Sequence, residues 1–141
     1  MRKLLFFWLV LVAFWSCSVD TNVNEDFYFE ILPIKTVEMP TSVRFNETFT
    51  INYTYSKPST CHFYNDLYFI SEGNTRTIAV INTVINETST TICEPLMNDI
   101  EERSFEFHVK NDSGTYIFKF WQGEDDNGHD TYLVFEVPIV Q

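Results

Sequence analysis

The chain has 141 residues, with 20 Asp or Glu against 9 Lys or Arg, which gives a formal net charge of −11 at pH 7. An acidic chain without clustered Lys and Arg repels phosphate backbones, so the composition argues against nucleic-acid binding. The length suits one domain with a single core.

Residues 1–16 have the features of an export signal. Two basic residues, Arg2 and Lys3, precede an uncharged apolar run of 12 residues, Leu4 to Trp15. Such a run is too short to cross a bilayer as a helix, which needs about 20 residues. A short apolar run followed by a small residue, here Ser16, is typical of a secretory signal.

Cys17 follows Ser16 directly, and this order resembles a bacterial lipobox. In a lipobox the cysteine is diacylated, the peptide is cleaved before it, and the cysteine becomes the mature N-terminus. A strict lipobox has small or branched aliphatic residues where this chain has Phe14 and Trp15, and looser boxes occur in lipoproteins of the Bacteroidetes. An ordinary signal cleaved near Ser16 or Ser18 is the main alternative. A eukaryotic secreted domain is the other, and its support is four N-x-[ST] sequons at Asn46, Asn52, Asn86 and Asn111.

Removal of residues 1–16 leaves 125 residues with 7 bases and 20 acids, a net charge of −13. Residues 17–26 are polar and lack periodicity, which predicts a flexible tether carrying the lipid. We expect the folded domain to span residues 27–141.

From Phe27 onward, apolar and polar side chains alternate as in half-buried strands. TFTINYTYS at 48–56 and SFEFHVK at 104–110 each place their aromatic residues on one face. TIAVINTVI at 77–85 and TYIFKFW at 115–121 are apolar on both faces, which predicts central or covered strands. Strands are predicted at 27–36, 42–45, 48–56, 61–71, 75–85, 103–110, 115–122 and 131–138.

The number and spacing of these strands predict an all-β fold, an immunoglobulin-like antiparallel β-sandwich of about seven or eight strands. Pro33 removes a ladder donor, so we expect the first strand at a sheet edge. Residues 94–103 interrupt the alternation and are expected to form one or two helical turns.

If Cys17 carries lipid, Cys61 and Cys93 remain as an even pair in an oxidising compartment. The interpretation we favour is one disulfide. Two separate buried thiols are the alternative, because sequence alone does not show that the two Cα atoms come close enough.

Several stretches together resemble a set of small, uncharacterised lipoproteins of flavobacteria and their relatives. They are PTSVRFNETFTINYTY, CHFY, GNTRTIAVINTVI and above all YIFKFWQGEDDNGHDTYLVFEVPI. The resemblance covers nearly the whole mature chain, and its most specific part is residues 118–123 followed by 125–128. It implies an anchored envelope domain with a cysteine pair, and it brings no established activity.

Signatures of catalysis are sparse. The histidines His62, His108 and His129 stand far apart, and none has a His or Cys at metal-ligand spacing. The chain has no nucleophile elbow, zincin motif or phosphate-binding glycine loop. We therefore expect a protein that is not an enzyme and needs no cofactor.

The segment GEDDNGHD at 123–130 has two interpretations. Asp125, Asn127 and Asp130 could supply oxygens to calcium, but the glycine and glutamate positions of a calcium hand are missing. A hairpin tip is favoured, with Asn127 and Gly128 supplying positive φ angles. No metal site is therefore predicted.

Trp121 and Tyr132 flank this hairpin, either as an exposed platform or as a cover for the end of the core. Loops on a rigid scaffold often bind partners, so we predict a binding surface here. Its residues are Trp121, Asp125, Asp126, Asn127, Asp130 and Tyr132.

These observations predict a lipid-anchored module of the cell envelope, in the outer membrane, with a non-enzymatic binding or accessory role. Its expected partners are the membrane, through the N-terminal lipid, and an envelope protein or glycan. The alternative is a secreted or anchored hydrolase, or an inhibitor, that uses the loop carboxylates Glu124, Asp125 and Asp126.

Overall fold

The computed structural model describes residues 26–141, and this part of the chain is all-β. The signal, Cys17 and the tether up to residue 25 lie outside the described residues. Nine strands form two sheets within the described range, one more strand than predicted. They are β1 (Phe27–Leu32), β2 (Ile34–Glu38), β3 (Val43–Arg44), β4 (Thr48–Ser56), β5 (His62–Glu72), β6 (Thr75–Ile85), β7 (Ile100–His108), β8 (Thr115–Glu124) and β9 (Asp130–Val140).

The large sheet has six strands, in the order β1-β6-β8-β9-β3 with β5 also paired to β6. Residues 80–84 of β6 pair with both β1 and β5, so these two strands lie on opposite sides of β6. The small sheet has the order β2-β4-β7 and is antiparallel throughout. The prediction that residues 77–85 form a central strand is confirmed.

The β-sandwich is confirmed, because aromatic side chains of β4 and β7 in the small sheet pack on those of β8 in the large one. Two pairings, β6 with β8 and β3 with β9, are parallel. The immunoglobulin domain has two antiparallel sheets. The immunoglobulin type therefore stays a prediction.

Alternation of side chains along the strands fills the space between the sheets. In β4, Ile51, Tyr53 and Tyr55 are buried while their neighbours face solvent or are half-buried. In β8, Phe118 and Phe120 are completely buried. The ring of Phe118 lies edge-on to that of Phe107 at 5.0 Å between centroids, an arrangement favoured by the charge distribution of aromatic rings.

The prediction of one strand over residues 27–36 is wrong. Pro33 separates β1, which belongs to the large sheet, from β2, which belongs to the small sheet. A proline has no N–H to donate to a ladder, so the pairing breaks there and the chain crosses between the sheets.

The prediction of helical turns over residues 94–103 is also wrong. Residues 94–99 form no helix, and β7 begins at Ile100. Their backbone groups bond to another loop instead: Leu96 N–H donates to Pro58 O at 2.9 Å, and Lys57 N–H donates to Asp99 O at 2.9 Å. Hydrogen bonds to a loop distant in sequence therefore use the backbone N–H and C=O groups that a helix would have paired locally.

The Cys61–Cys93 disulfide is present, with the two Cα atoms 5.3 Å apart. It joins the start of β5 to the loop that follows β6. This loop also pairs with residues 58–60 through a bridge between Ser59 and Pro95.

Candidate functional site

The β8–β9 hairpin closes on itself through Asp125. One carboxylate oxygen of Asp125 accepts the backbone N–H groups of Asn127 and His129, each at 2.9 Å. Gly128 N–H donates to the Asp125 carbonyl at 2.9 Å and has a φ of 78°. Asn127 has no positive φ, so the expectation that both turn residues adopt one is wrong. A single glycine suffices because the Asp125 side chain holds the rest of the turn.

The same hydrogen bonds favour the ionised form of the Asp125 carboxyl group. Backbone donation from His129 and Asn127 lowers the pKa of its carboxyl below the usual range. A carboxylate acting as a general acid needs the opposite shift, so Asp125 is suited to holding the turn. Among residues 26–141, no three or more His, Cys, Asp or Glu side chains are grouped so as to hold a metal ion.

Trp121 and Tyr132 are cross-strand partners, and both are half-buried. Their polar tips meet on Asp130: Trp121 Nε1 donates to Oδ1 at 2.7 Å, and the Tyr132 hydroxyl donates to Oδ2 at 3.2 Å. Burial, the charge of Asp130 and that hydrogen bond raise the pKa of Tyr132. Lys119 Nζ lies 4.1 Å from the centre of the Tyr132 ring.

The structure thus brings Trp121, Asp130 and Tyr132 together in one cluster. Asp125, Asp126 and Asn127 lie at the exposed turn. The two rings are half-buried, neither a fully exposed platform nor part of the core, and a binding role for them stays a prediction.

These rings belong to a larger apolar surface that sequence reasoning missed. We call it the outer face: the side of the large sheet that points away from the small sheet. The side chains at positions 77, 79, 81 and 83 of β6 point to this side. Paired residues of neighbouring strands share a side of the sheet, so register places alternate residues of β1, β5 and β8 on the outer face, together with the β9 residues that pair with those of β8. Its apolar members are Phe27, Phe29 and Ile31 of β1, Phe63, Tyr68 and Ile70 of β5, Ile81 of β6, Ile117 and Trp121 of β8, and Tyr132 and Val134 of β9.

Several of these side chains are open to solvent. The exposed fraction is 61% for Phe29, 53% for Phe63 and 51% for Val134. Phe29 and Phe63 both pair with Thr83, so the two phenyl rings flank one threonine on the same side of the sheet. Soluble domains rarely expose large contiguous apolar patches, and such patches mark interaction sites.

Few charges interrupt the outer face. Register places Lys119, Asp66 and Glu136 on it, with Glu72 at the end of β5, and Asp130 adjoins it through its hydrogen bonds with Trp121 and Tyr132. The whole chain carries 20 acidic residues. Most of the acidic residues therefore lie elsewhere in the chain, although the outer face itself carries more acids than bases.

The small sheet presents a different surface, a shallow polar cavity of about 410 Å³. In it Thr36 and Thr54 share a hydrogen bond of 2.7 Å, and Asn52 donates to Glu38 at 3.0 Å. The other lining residues are Tyr53, Glu102, Arg103 and Ser104. None of the predicted site residues lies in this cavity.

A part-buried chain of polar side chains, centred on His62, links β1 to the start of β5. His62 Nδ1 lies 2.8 Å from Ser59 Oγ, and His62 Nε2 lies 2.7 Å from Glu30 Oε2. The order of groups matches a nucleophile, base and carboxylate. However, Ser59 Oγ also accepts the Cys61 N–H at 3.2 Å, and His62 is buried. The arrangement serves to fix Glu30 and β1 to the sheet beside the disulfide.

Within the described residues, no helix has the length and apolar character that a membrane span needs. Comparison of the chain with family models, curated proteins and solved structures gives no match.

Proposed function

We propose that this protein is a lipid-anchored module of the cell envelope, in the outer membrane, that acts by binding and not by catalysis. Anchoring is inferred from Arg2 and Lys3, the short apolar run and the Ser16-Cys17 pair. The disulfide between Cys61 and Cys93 suits an oxidising compartment outside the cytoplasm.

The observation that carries the binding role is the outer face. An otherwise acidic domain leaves Phe29, Phe63 and Val134 about half exposed or more on one continuous surface. Fully burying a Phe or Val side chain contributes about 1.5–3 kcal/mol. Covering this surface with an envelope component would therefore contribute several kcal/mol to binding.

The polar groups favour binding over catalysis. Asp125 is occupied by the turn, and His62 is buried between Ser59 and Glu30. Trp121 and Tyr132 extend the outer face toward the hairpin, where their rings and Asp130 offer both apolar area and acceptors. Such mixed surfaces suit a glycan, a protein or a lipid headgroup layer.

Metabolic labelling with a fatty-acid analogue tests the anchor. We expect the unmodified protein to be labelled and to fractionate with membranes. Cys17→Ser should abolish the label and release the protein, while Cys61→Ser should leave the label in place. An unlabelled, fully soluble mature protein would contradict the proposed function.

A further inference from the structure

We propose that the outer face lies in the interfacial layer of the membrane that holds the anchor, with its apolar side chains reaching the acyl chains below the headgroups, as a second attachment. The inference rests on the proposed lipidation of Cys17. It assigns the apolar surface to one occupant, a zwitterionic lipid surface, in place of a soluble protein.

The length of the tether limits how far the domain can lie from the anchor. Nine residues, 18–26, separate Cys17 from Phe27. A fully extended chain spans at most about 3.3–3.6 Å per residue, so over the ten steps from Cys17 to Phe27 the two residues stay within about 36 Å of each other. A short tether of this kind holds the domain at a high effective concentration next to the bilayer.

The chain enters the folded domain at the outer face. Phe27 is the first residue of β1, and the outward side chains of that strand are Phe27, Phe29 and Ile31. All three are exposed by more than two fifths. The tethered end of the domain therefore begins on the outer face, and the surface nearest the anchor is its most apolar one.

The outer face carries side chains of the types that suit a membrane interface. Tyr68, Trp121 and Tyr132 combine an apolar ring with a polar tip, the type of side chain enriched at membrane interfaces. Lys119 lies over the Tyr132 ring, with an aliphatic stem and a charge that can reach headgroup phosphates. The outer face and the rest of the domain both carry more acids than bases, so an anionic surface would repel the domain and a zwitterionic bilayer is the lipid surface that these charges favour.

The processed chain carries its own probe. Two of the three tryptophans, Trp8 and Trp15, lie in the predicted signal, which leaves Trp121 alone in the mature protein. Because Trp121 is on the outer face, its fluorescence reports whether that face contacts acyl chains. The lipidated protein would be reconstituted in phosphatidylcholine vesicles with or without brominated acyl chains, and its emission compared.

We expect brominated vesicles to reduce Trp121 emission at least twofold. Phe29→Glu should remove most of this quenching, and Phe45→Glu should retain it. Phe45 is the matched control, because it is 58% exposed and lies in the turn between β3 and β4, away from the outer face. Both variants should float with vesicles through the anchor, and circular dichroism should show unchanged strand content.

Three results would overturn the inference. Equal emission in both vesicle types, with flotation intact, would show that the anchor is present and the face is not on lipid. In that case a doubled mass in detergent would assign the face to a second copy. Unchanged quenching in Phe29→Glu would place lipid contact elsewhere. Failure of the unmodified protein to float would remove the anchor, and with it both the proposed function and this inference.

Discussion

Removal of the Cys61–Cys93 bridge should destabilise the domain by about 3–4 kcal/mol. The two cysteines are 32 residues apart, and closing a loop of that size removes this much chain entropy from the unfolded state. The folded state should change little, because Thr60 and Glu94 hold the same two segments together. Thr60 N–H donates to Glu94 O and Glu94 N–H donates to Thr60 Oγ1, each at 3.0 Å.

The assay is urea unfolding followed by circular dichroism on the unmodified protein and on Cys61→Ala with Cys93→Ala. A loss of this size should lower the midpoint by about 2 M urea. Unmodified protein measured with a reductant is the control that separates the cross-link from the packing of the two side chains. A double variant within about 1 kcal/mol of the unmodified protein would refute this reasoning, as would cysteines that react with an alkylating agent before reduction.

Three further changes test the local geometry. Trp121→Ala should lower the free energy of unfolding by about 1–2 kcal/mol in a urea melt, because the ring is half-buried. A fully buried aromatic costs about 3–5 kcal/mol, so a loss above about 3 kcal/mol would make Trp121 a core residue. Gly128→Ala should cost about 1 kcal/mol and lower Tm by about 4 °C, because φ is 78° there; an unchanged Tm would contradict this. Glu101→Gln should cost on the order of 2 kcal/mol at pH 7 and flatten the acid dependence of stability.

The acid dependence follows from the surroundings of Glu101. Burial alone would raise its pKa, but hydrogen bonds from Arg103, Tyr55 and Lys57 outweigh burial and lower the pKa to about 2. Because the folded pKa lies below the ordinary glutamate value of 4.5, the stabilisation is present above about pH 4.5 and is lost as pH falls toward 2. Thermal melts between pH 6 and pH 2 would measure it, and equal slopes for Glu101→Gln and the unmodified protein would contradict it.

Much of the fold follows from side-chain alternation. In β4, and in β7 from Ser104 to His108, the inward face is apolar and the outward face polar, so the pattern identifies both the strand and its buried side. The pattern does not show where a strand changes sheets. Residues 27–36, FYFEILPIKT, form one apolar-rich run, and only the missing N–H of Pro33 marks the crossing. The prediction of helical turns that included residues 94–99 was wrong for a related reason, because the hydrogen-bond partners of these residues lie in a loop that is distant in sequence.

The candidate site was predicted in part. The hairpin residues and their two flanking rings were identified, because turn chemistry and strand ends are local features of sequence. The outer face was missed, because apolar residues on both sides of a strand predict that it is covered. Phe27, Phe29 and Ile31 satisfy that pattern, yet in the folded domain their outward side is open. Sequence periodicity reports which side chains are apolar, and only the packing of the sheets reports which are covered.

The central claim, an anchored module of the envelope, is tested most directly by the intact mass of the protein extracted from its native membranes with detergent. The account predicts a chain that begins at Cys17, carries a diacylglyceryl group on that residue, and retains one intact disulfide. A mass equal to an unmodified chain that begins at another residue would contradict it.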